Sequence, residues 1–361
     1  MSITRAMFLV LATLLAGCGG GGGSTAPVAP ANVLSGAYQI VTYTLRSVPA
    51  PGASSSFWGQ AVVNPNGQLD VTGEQNAPAA GGIGPALPGA YAIVGQGSGH
   101  YDLEVTGTPV YRGGVSDDGA VAIFASVASG LDPSLLILMR GDAATGPSFS
   151  GTYDFANMSV FGAEYGTHVF NGAGGMSVDS FAGGGGGPIG MNAFSYSLGS
   201  MNLTTMWSNT SAAVQMQGGT TADRALAAWA GGTNAAAPSV PFGWAAVRRS
   251  SGLTNAAIRG TYHVVAMEQI GGGVATTTGL MTADGAGTFS ITGDVNANGA
   301  INPNQTVTGT YNLSGTGNLV LNRSNLSEGL TGTVSQDGRY ILLGGGSTAG
   351  SSQMFILMVR Q

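Results

Sequence analysis

Four short landmarks recur three times in the same order along this chain, and that recurrence constrains its fold more than any other feature. Ser35-Gly36-Ala37-Tyr38, Ser150-Gly151-Thr152-Tyr153 and Arg259-Gly260-Thr261-Tyr262 each open a β-like run, 115 and then 109 residues apart. A second tyrosine strand follows at His100 to Val105, Phe194 to Leu198 and Gly309 to Leu313. Next comes an aspartate (Asp118, Asp223, Asp337) at a turn before an apolar strand. Each unit closes on a hydrophobic strand ending in arginine (Arg140, Arg248, Arg360), which lies 22, 25 and 23 residues beyond the aspartate. The expected units are 35–142, 148–250 and 257–361.

Within each unit, runs rich in Val, Ile, Tyr, Phe and Thr are separated by Asn-Gly or Asp-Gly pairs, as at Asn66-Gly67, Asp118-Gly119, Asp284-Gly285 and Asp337-Gly338. Such pairs are the strongest short-range hairpin signal. The pattern predicts an all-β chain of three tandem antiparallel meander units, small barrels or sandwiches, with roughly seven or eight strands each. The closing strands, such as Phe355 to Val359, are apolar on both faces and should be covered on both. Thr221 to Ala230 has helical propensity, but the repeat places a strand there. A single large membrane barrel needs longer strands alternating lipid-facing and lumen-facing residues.

Glycine contributes 63 of 361 residues, against a usual share of about 7%. With 43% hydrophobic and 8% charged residues the chain still does not read as disordered. It contains no lysine, so all 11 basic residues are arginines. Without Arg5 the balance is 10 − 17 = −7, an acidic surface that argues against nucleic acid as a partner.

The leader, Met1 to Cys18, has one positive charge at Arg5 and an uncharged, mostly apolar run from Ala6 to Ala16, too short to span a bilayer. It ends in Leu15-Ala16-Gly17-Cys18, which resembles the lipobox of bacterial lipoproteins. The resemblance implies a signal peptide over 1–17, cleavage before Cys18 and acylation of that cysteine. Several acyl chains anchor stably, since each buried methylene contributes about 0.8 kcal/mol. Because Gly19 rather than aspartate follows the cysteine, it also implies the outer membrane in a cell with two membranes. Residues 18–34, rich in glycine and then in proline and alanine, read as a tether. Cys18 is the only cysteine, so the mature fold has no internal disulfide.

Several chemistries lack their residues. Without lysine there is no Walker A loop and no Schiff-base nucleophile. His100, His168 and His263 are scattered without metal-ligand spacing, and His100 and His263 read as half-exposed strand residues. Asp102 and Glu104 share one face of an expected strand and are the least implausible carboxylate pair for glycoside hydrolysis. Asp294, Asn296 and Asn298, followed by Gly299, resemble the first half of the calcium loop of EF-hands and dockerins, but Gln305 stands where those families place a bidentate carboxylate. The bland alternative is a polar Asn-Gly hairpin.

The Gly-x-Tyr opening and the Trp- or Phe-containing closing strand with its arginine resemble, over short stretches, small eight-stranded ligand-binding barrels such as avidins and lipocalins. The leading expectation is a membrane-anchored, exported, non-enzymatic binding or structural module without a cofactor. Its contacts with an envelope protein or polysaccharide would come from loops at Pro49 to Phe57, Gln75 to Ala90 and Gly172 to Gly190. One rival is a carrier holding a small apolar ligand beside Trp58, Trp207 or Trp244. The other is a polysaccharide or peptidoglycan hydrolase.

Overall fold

The computed structural model describes residues 34–45, 54–77, 82–85, 91–96, 99–141, 149–159, 162–183, 193–198, 203–208, 213–233, 242–270, 273–324, 329–346 and 352–361. Cys18, the leader and nearly all of the tether lie outside them, as do 49–53, 78–81, 86–90 and 184–190 of the three long loops named above. Gly172 to Gly190 is not one loop, because Gly175–Gly183 forms a strand paired with the one before it.

Unit 1 comprises β1 (Gly36–Thr44), β2 (Ser55–Val63), β3 (Gln68–Ala77), β4 (Gly82–Pro85), β5 (Tyr91–Gly95), β6 (Tyr101–Val105), β7 (Thr108–Val115), β8 (Val121–Ser126) and β9 (Ser134–Met139). Unit 2 comprises β10 (Ser150–Ser159), β11 (Gly162–Asn171), β12 (Gly175–Gly183), β13 (Ala193–Leu198), β14 (Leu203–Ser208), β15 (Ala213–Thr220), β16 (Leu226–Thr233) and β17 (Phe242–Arg248). Unit 3 comprises β18 (Arg259–Ile270), β19 (Gly273–Asp284), β20 (Thr288–Ala297), β21 (Ala300–Leu313), β22 (Asn318–Arg323), β23 (Leu330–Val334), β24 (Tyr340–Gly346) and β25 (Ser352–Arg360).

Units 2 and 3 are closed eight-stranded antiparallel meander barrels, the last strand pairing with the first. Unit 1 is a nine-stranded sheet in which β2 also pairs with β3. β3 meets β5 only at Gln68 and Leu69, and the inserted β4 lies along the far end of β3. One landmark falls on a different strand in unit 1. Tyr196 and Tyr311 lie on the fourth strands of their barrels, whereas Tyr101 lies on β6, which is fifth around the unit 1 sheet when β4 is left aside. Thr221 to Ala230 forms a turn and then strand β16, as the repeat requires.

The repeated residues form the same lock three times. Tyr38, Tyr153 and Tyr262 are fully buried. Their hydroxyls donate to the carbonyls of Gly119, Arg224 and Gly338, each one residue past the landmark aspartate. The aspartate holds that turn: Asp118, Asp223 and Asp337 accept from Ser116, Thr221 and Ser335 at 2.7, 2.6 and 2.6 Å. Each also accepts the backbone N–H two residues on, an Asx turn. Arg140 and Arg360 donate to the hydroxyls of Tyr38 and Tyr262 at 2.6 and 3.0 Å.

Each barrel has its own interior core, centred for example on Phe57 and Phe124, on Trp229 and Trp244, and on Tyr262 and Ile341. A fourth core lies between the barrels. It is built from the outward residues of the opening, seventh and closing strands of all three units, including Val41, Ile123 and Ile137, then Met158, Ala228 and Val247, then Val265, Leu342 and Leu357. This explains the two-sided hydrophobicity of β9 and β25, whose described side chains are nearly all buried. Fully burying such a side chain contributes about 1.5–3 kcal/mol. The packing is cyclic: β1 lies on β15 and β16, β10 on β23 and β24, and β18 on β7 and β8.

Glycine permits this close approach at every junction. A Cβ on Gly219 would lie 2.6 Å from the Gln39 Cβ, one on Gly243 2.8 Å from the Tyr43 Cβ, and one on Gly344 2.7 Å from the Tyr165 Cβ. One on Gly114 would collide with the His263 ring.

Candidate functional site

The residue after each landmark tyrosine points out of its barrel toward a neighbouring unit, and there the repeats differ. Gln39 packs on Gly219, Asp154 joins an ion pair, and His263 packs on Gly114 and His100. The chemistry of the molecule is therefore concentrated at the seams between barrels.

At the seam of units 1 and 3, Arg112 on β7 bridges two carboxylates. Its Nε donates to Asp102 of β6 at 2.8 Å and its Nη1 to Asp294 of β20 at 2.9 Å. The Asp102 side chain is only 4% exposed. A buried carboxylate is stable only when paired, and the hydrogen bond that Arg112 donates to Asp102 in turn raises the Arg112 pKa. Beside this bridge His100 and His263 meet edge to face, ring centroids 5.5 Å apart. His263 is 1% exposed, not the half-exposed strand residue expected, because its face of β18 is covered by unit 1. Burial, aided by His100, pushes its imidazole down to about 4. Burial also lowers His100, with Arg112 adding to the effect. His168 lies inside barrel 2 against Phe155 and Trp244, and burial pushes it down to about 3.

The calcium-like residues sit on the β20–β21 hairpin. Asn298 and Gly299 take φ of 51° and 87°, the two positive values of a type I′ turn. Their oxygens are engaged by the protein's own donors. Asp294 accepts from Arg112 and from the Asn304 N–H, Asn296 from the Gly299 N–H, and Asn298 from the Val274 N–H. Asn296 is buried and donates to the Ser126 hydroxyl and the Leu131 carbonyl, pinning unit 3 to unit 1. Among the described residues no three carboxylate, histidine or cysteine side chains converge as a metal site.

Asp102 and Glu104 do not work as a pair. Asp102 is buried and committed to Arg112, whereas Glu104 faces Pro109 beyond a bulge in β7. Of the three tryptophans expected beside an apolar ligand, Trp58 belongs to the core between barrels and Trp244 to the interior of barrel 2. Trp207 lies on β14 with its side chain outside the described residues. Trp244 borders a void of about 20 Å³ between the units, room for about one water.

A larger cavity of about 190 Å³ opens between barrels 2 and 3. On one side Arg249, just after β17, donates through Nε to Asp154 at 2.9 Å and through Nη2 to the second Asp154 oxygen and to Thr167 at 2.9 Å. Thr167 in turn donates to Asp154 at 3.1 Å. Tyr165 and Phe155 continue this wall, and Asn318, Thr331, Gly332, Leu342 and Gly344 of unit 3 form the other. None of these residues stood out in the sequence. The available signal was a difference between repeats: only unit 2 has an aspartate after its landmark tyrosine and a second arginine after its closing one.

No family model and no curated protein matches this chain. Among solved structures it is similar to a mutant of the vaccine antigen transferrin-binding protein B from Haemophilus parasuis, at 8% identity and a TM-score of 0.28, covering 90% of this chain and 75% of that one. It is also similar to isotype 1 transferrin-binding protein B from serogroup B Neisseria meningitidis, at 9% identity and a TM-score of 0.27, covering 91% and 77%. Likeness at this level carries no functional inference.

Proposed function

We propose that the mature chain is an exported, non-enzymatic binding module of the cell envelope, held to the membrane by lipid on Cys18. What supports this reading best is how the polar chemistry is used. At the seam of units 1 and 3 the carboxylates and arginines are consumed in holding barrels together, as in Asp102–Arg112–Asp294 and in Arg339 with Asp118. A general acid or base needs a carboxyl group free to exchange its proton with substrate, and Asp102 is not free. The polar cavity between barrels 2 and 3, in contrast, is preformed and open. The lipobox-like leader supplies the reason for export and anchoring.

The test has two readouts. Metabolic labelling with a fatty-acid analogue should mark the wild type and not Cys18→Ala, with the labelled chain in the membrane fraction; an unlabelled wild type overturns the anchor. Incubation with peptidoglycan and soluble polysaccharides should release no new reducing ends; release that Asp102→Asn abolishes would establish the hydrolase instead.

A further inference from the structure

The cavity between barrels 2 and 3 is selective in size and in charge. At about 190 Å³ it has the bulk of on the order of six waters, below the usual range for drug-sized ligands. Its two charged groups, Arg249 and Asp154, face each other and cancel. A carboxylate or phosphate would have to compete with Asp154 for the guanidinium, and a cation would meet Arg249. An apolar ligand would strip water from Asn318, Thr331 and the ion pair without replacing its hydrogen bonds.

The remaining fit is a neutral molecule whose groups both donate and accept. Thr331 and Asn318 each do both, whereas the single Thr167 hydroxyl proton is already given to Asp154 and the ion pair offers one fixed donor and one fixed acceptor. Tyr165 adds apolar ring surface for a C–H face. From this combination we propose that the cavity binds one neutral sugar residue, either free or at the end of a glycan. This rests on the binding-module reading and names its ligand class. The cavity exists because barrels 2 and 3 diverge beside Gly344, where they touch Cβ to Cα, and the polar residues line the gap that opens next to that contact.

The test uses the full chain in detergent micelles and saturation-transfer NMR. The probes are methyl glucoside, methyl mannoside and methyl N-acetylglucosaminide at about 10 mM, enough to detect a millimolar Kd, with acetate and inorganic phosphate as charged comparators. At least one glycoside should show transfer to its ring protons, weakened about tenfold in Kd by both Asn318→Ala and Thr331→Val. Those variants leave the Arg249–Asp154 pair intact, and unchanged thermal melts show that they fold. Three results overturn the site: no transfer to any glycoside, transfer to acetate or phosphate instead, or glycoside transfer unchanged in both variants. An oligosaccharide ending in the same sugar separates the sources: binding as tight as the methyl glycoside or tighter assigns a glycan terminus, and its exclusion assigns the free sugar. Cleavage of the glycoside would overturn the non-enzymatic reading and leave the site, whereas absent binding with Cys18 labelling intact would overturn the site alone.

Discussion

Tyr153 lies fully buried under the turn that carries Arg224, and its hydroxyl donates to the Arg224 carbonyl at 2.8 Å. The bond joins the first strand of barrel 2 to the turn before its seventh, 71 residues away in sequence. Tyr153→Phe leaves the packing and removes the donor. A buried carbonyl without its partner costs about 1–3 kcal/mol, so the unfolding free energy should fall by that amount, read as a lower denaturant midpoint at an unchanged slope. Tyr38→Phe and Tyr262→Phe should behave alike, because their hydroxyls reach the equivalent carbonyls.

Arg112→Leu should destabilise more than an exposed ion pair would predict. It leaves Asp102, 4% exposed, and Asp294, 19% exposed, without their shared cation. Fully buried pairs lose about 3–5 kcal/mol when one partner is removed; with Arg112 itself 35% exposed, about 2 kcal/mol is expected. Equilibrium unfolding measures it, and restoration by a second change, Asp294→Asn, would show the carboxylates repelling. Since Arg112 already occupies Asp294, EDTA and added calcium should leave the melting temperature of the wild type unchanged.

Gly344→Val places a branched side chain where a Cβ alone would stand 2.7 Å from the Tyr165 Cβ and 3.2 Å from the Ala156 Cβ. Both neighbours are fixed near the backbone, so barrels 2 and 3 must separate. Overpacking costs about 1–3 kcal/mol. Faster limited proteolysis between residues 250 and 259 is the expected readout, and Gly315→Val, where a Cβ meets nothing within 4 Å, should leave the digestion pattern unchanged.

Stability should fall in mild acid. His263 and His168 are pushed down to about 4 and about 3 in the fold, against about 6.5 unfolded. The unfolded chain therefore binds protons that the fold refuses. Stability is full above about pH 6.5 and declines as pH drops toward the folded values. His263 alone accounts for roughly 3 kcal/mol by pH 4. Both contribute slope from about pH 6.5 downward, so His263→Gln should flatten the curve from about pH 6.5 to 4 and His168→Leu from about pH 6.5 to 3, in melts recorded across that range.

Much of this fold was legible because the repeated residues are the ones that build it. The Tyr, Asp and Arg landmarks mark first, seventh and eighth strands in all three units, and the double-faced closing strands announced that something covers them. What covers them was not legible. A hydrophobic pattern shows that a face is buried and not against which partner, and the partners of Ile137 and Leu357 lie in other repeats. The second tyrosine misled in unit 1 because the strand equivalent to β13 and β21 is β5, which carries Tyr91, and Tyr101 lies on the strand after it. The Asp294 to Gly299 pattern left two readings open because calcium loops and type I′ hairpins both favour Asn-Gly, and Arg112, which pairs with Asp294, comes from another unit. Asp154 and Arg249 were hidden because each stands beside a landmark residue whose role is structural.

The cyclic packing of opening strand on the next unit's sixth and seventh strands has an implication for ancestry. Each unit presents one surface to the neighbour ahead and a different one to the neighbour behind, the geometry of a heterologous contact that closes after three steps. A lone ancestral unit with these faces would have been a homotrimer of identical chains. Fusing its three copies freed each seam to diverge, which is why Gln39, Asp154 and His263 now stand at one equivalent position.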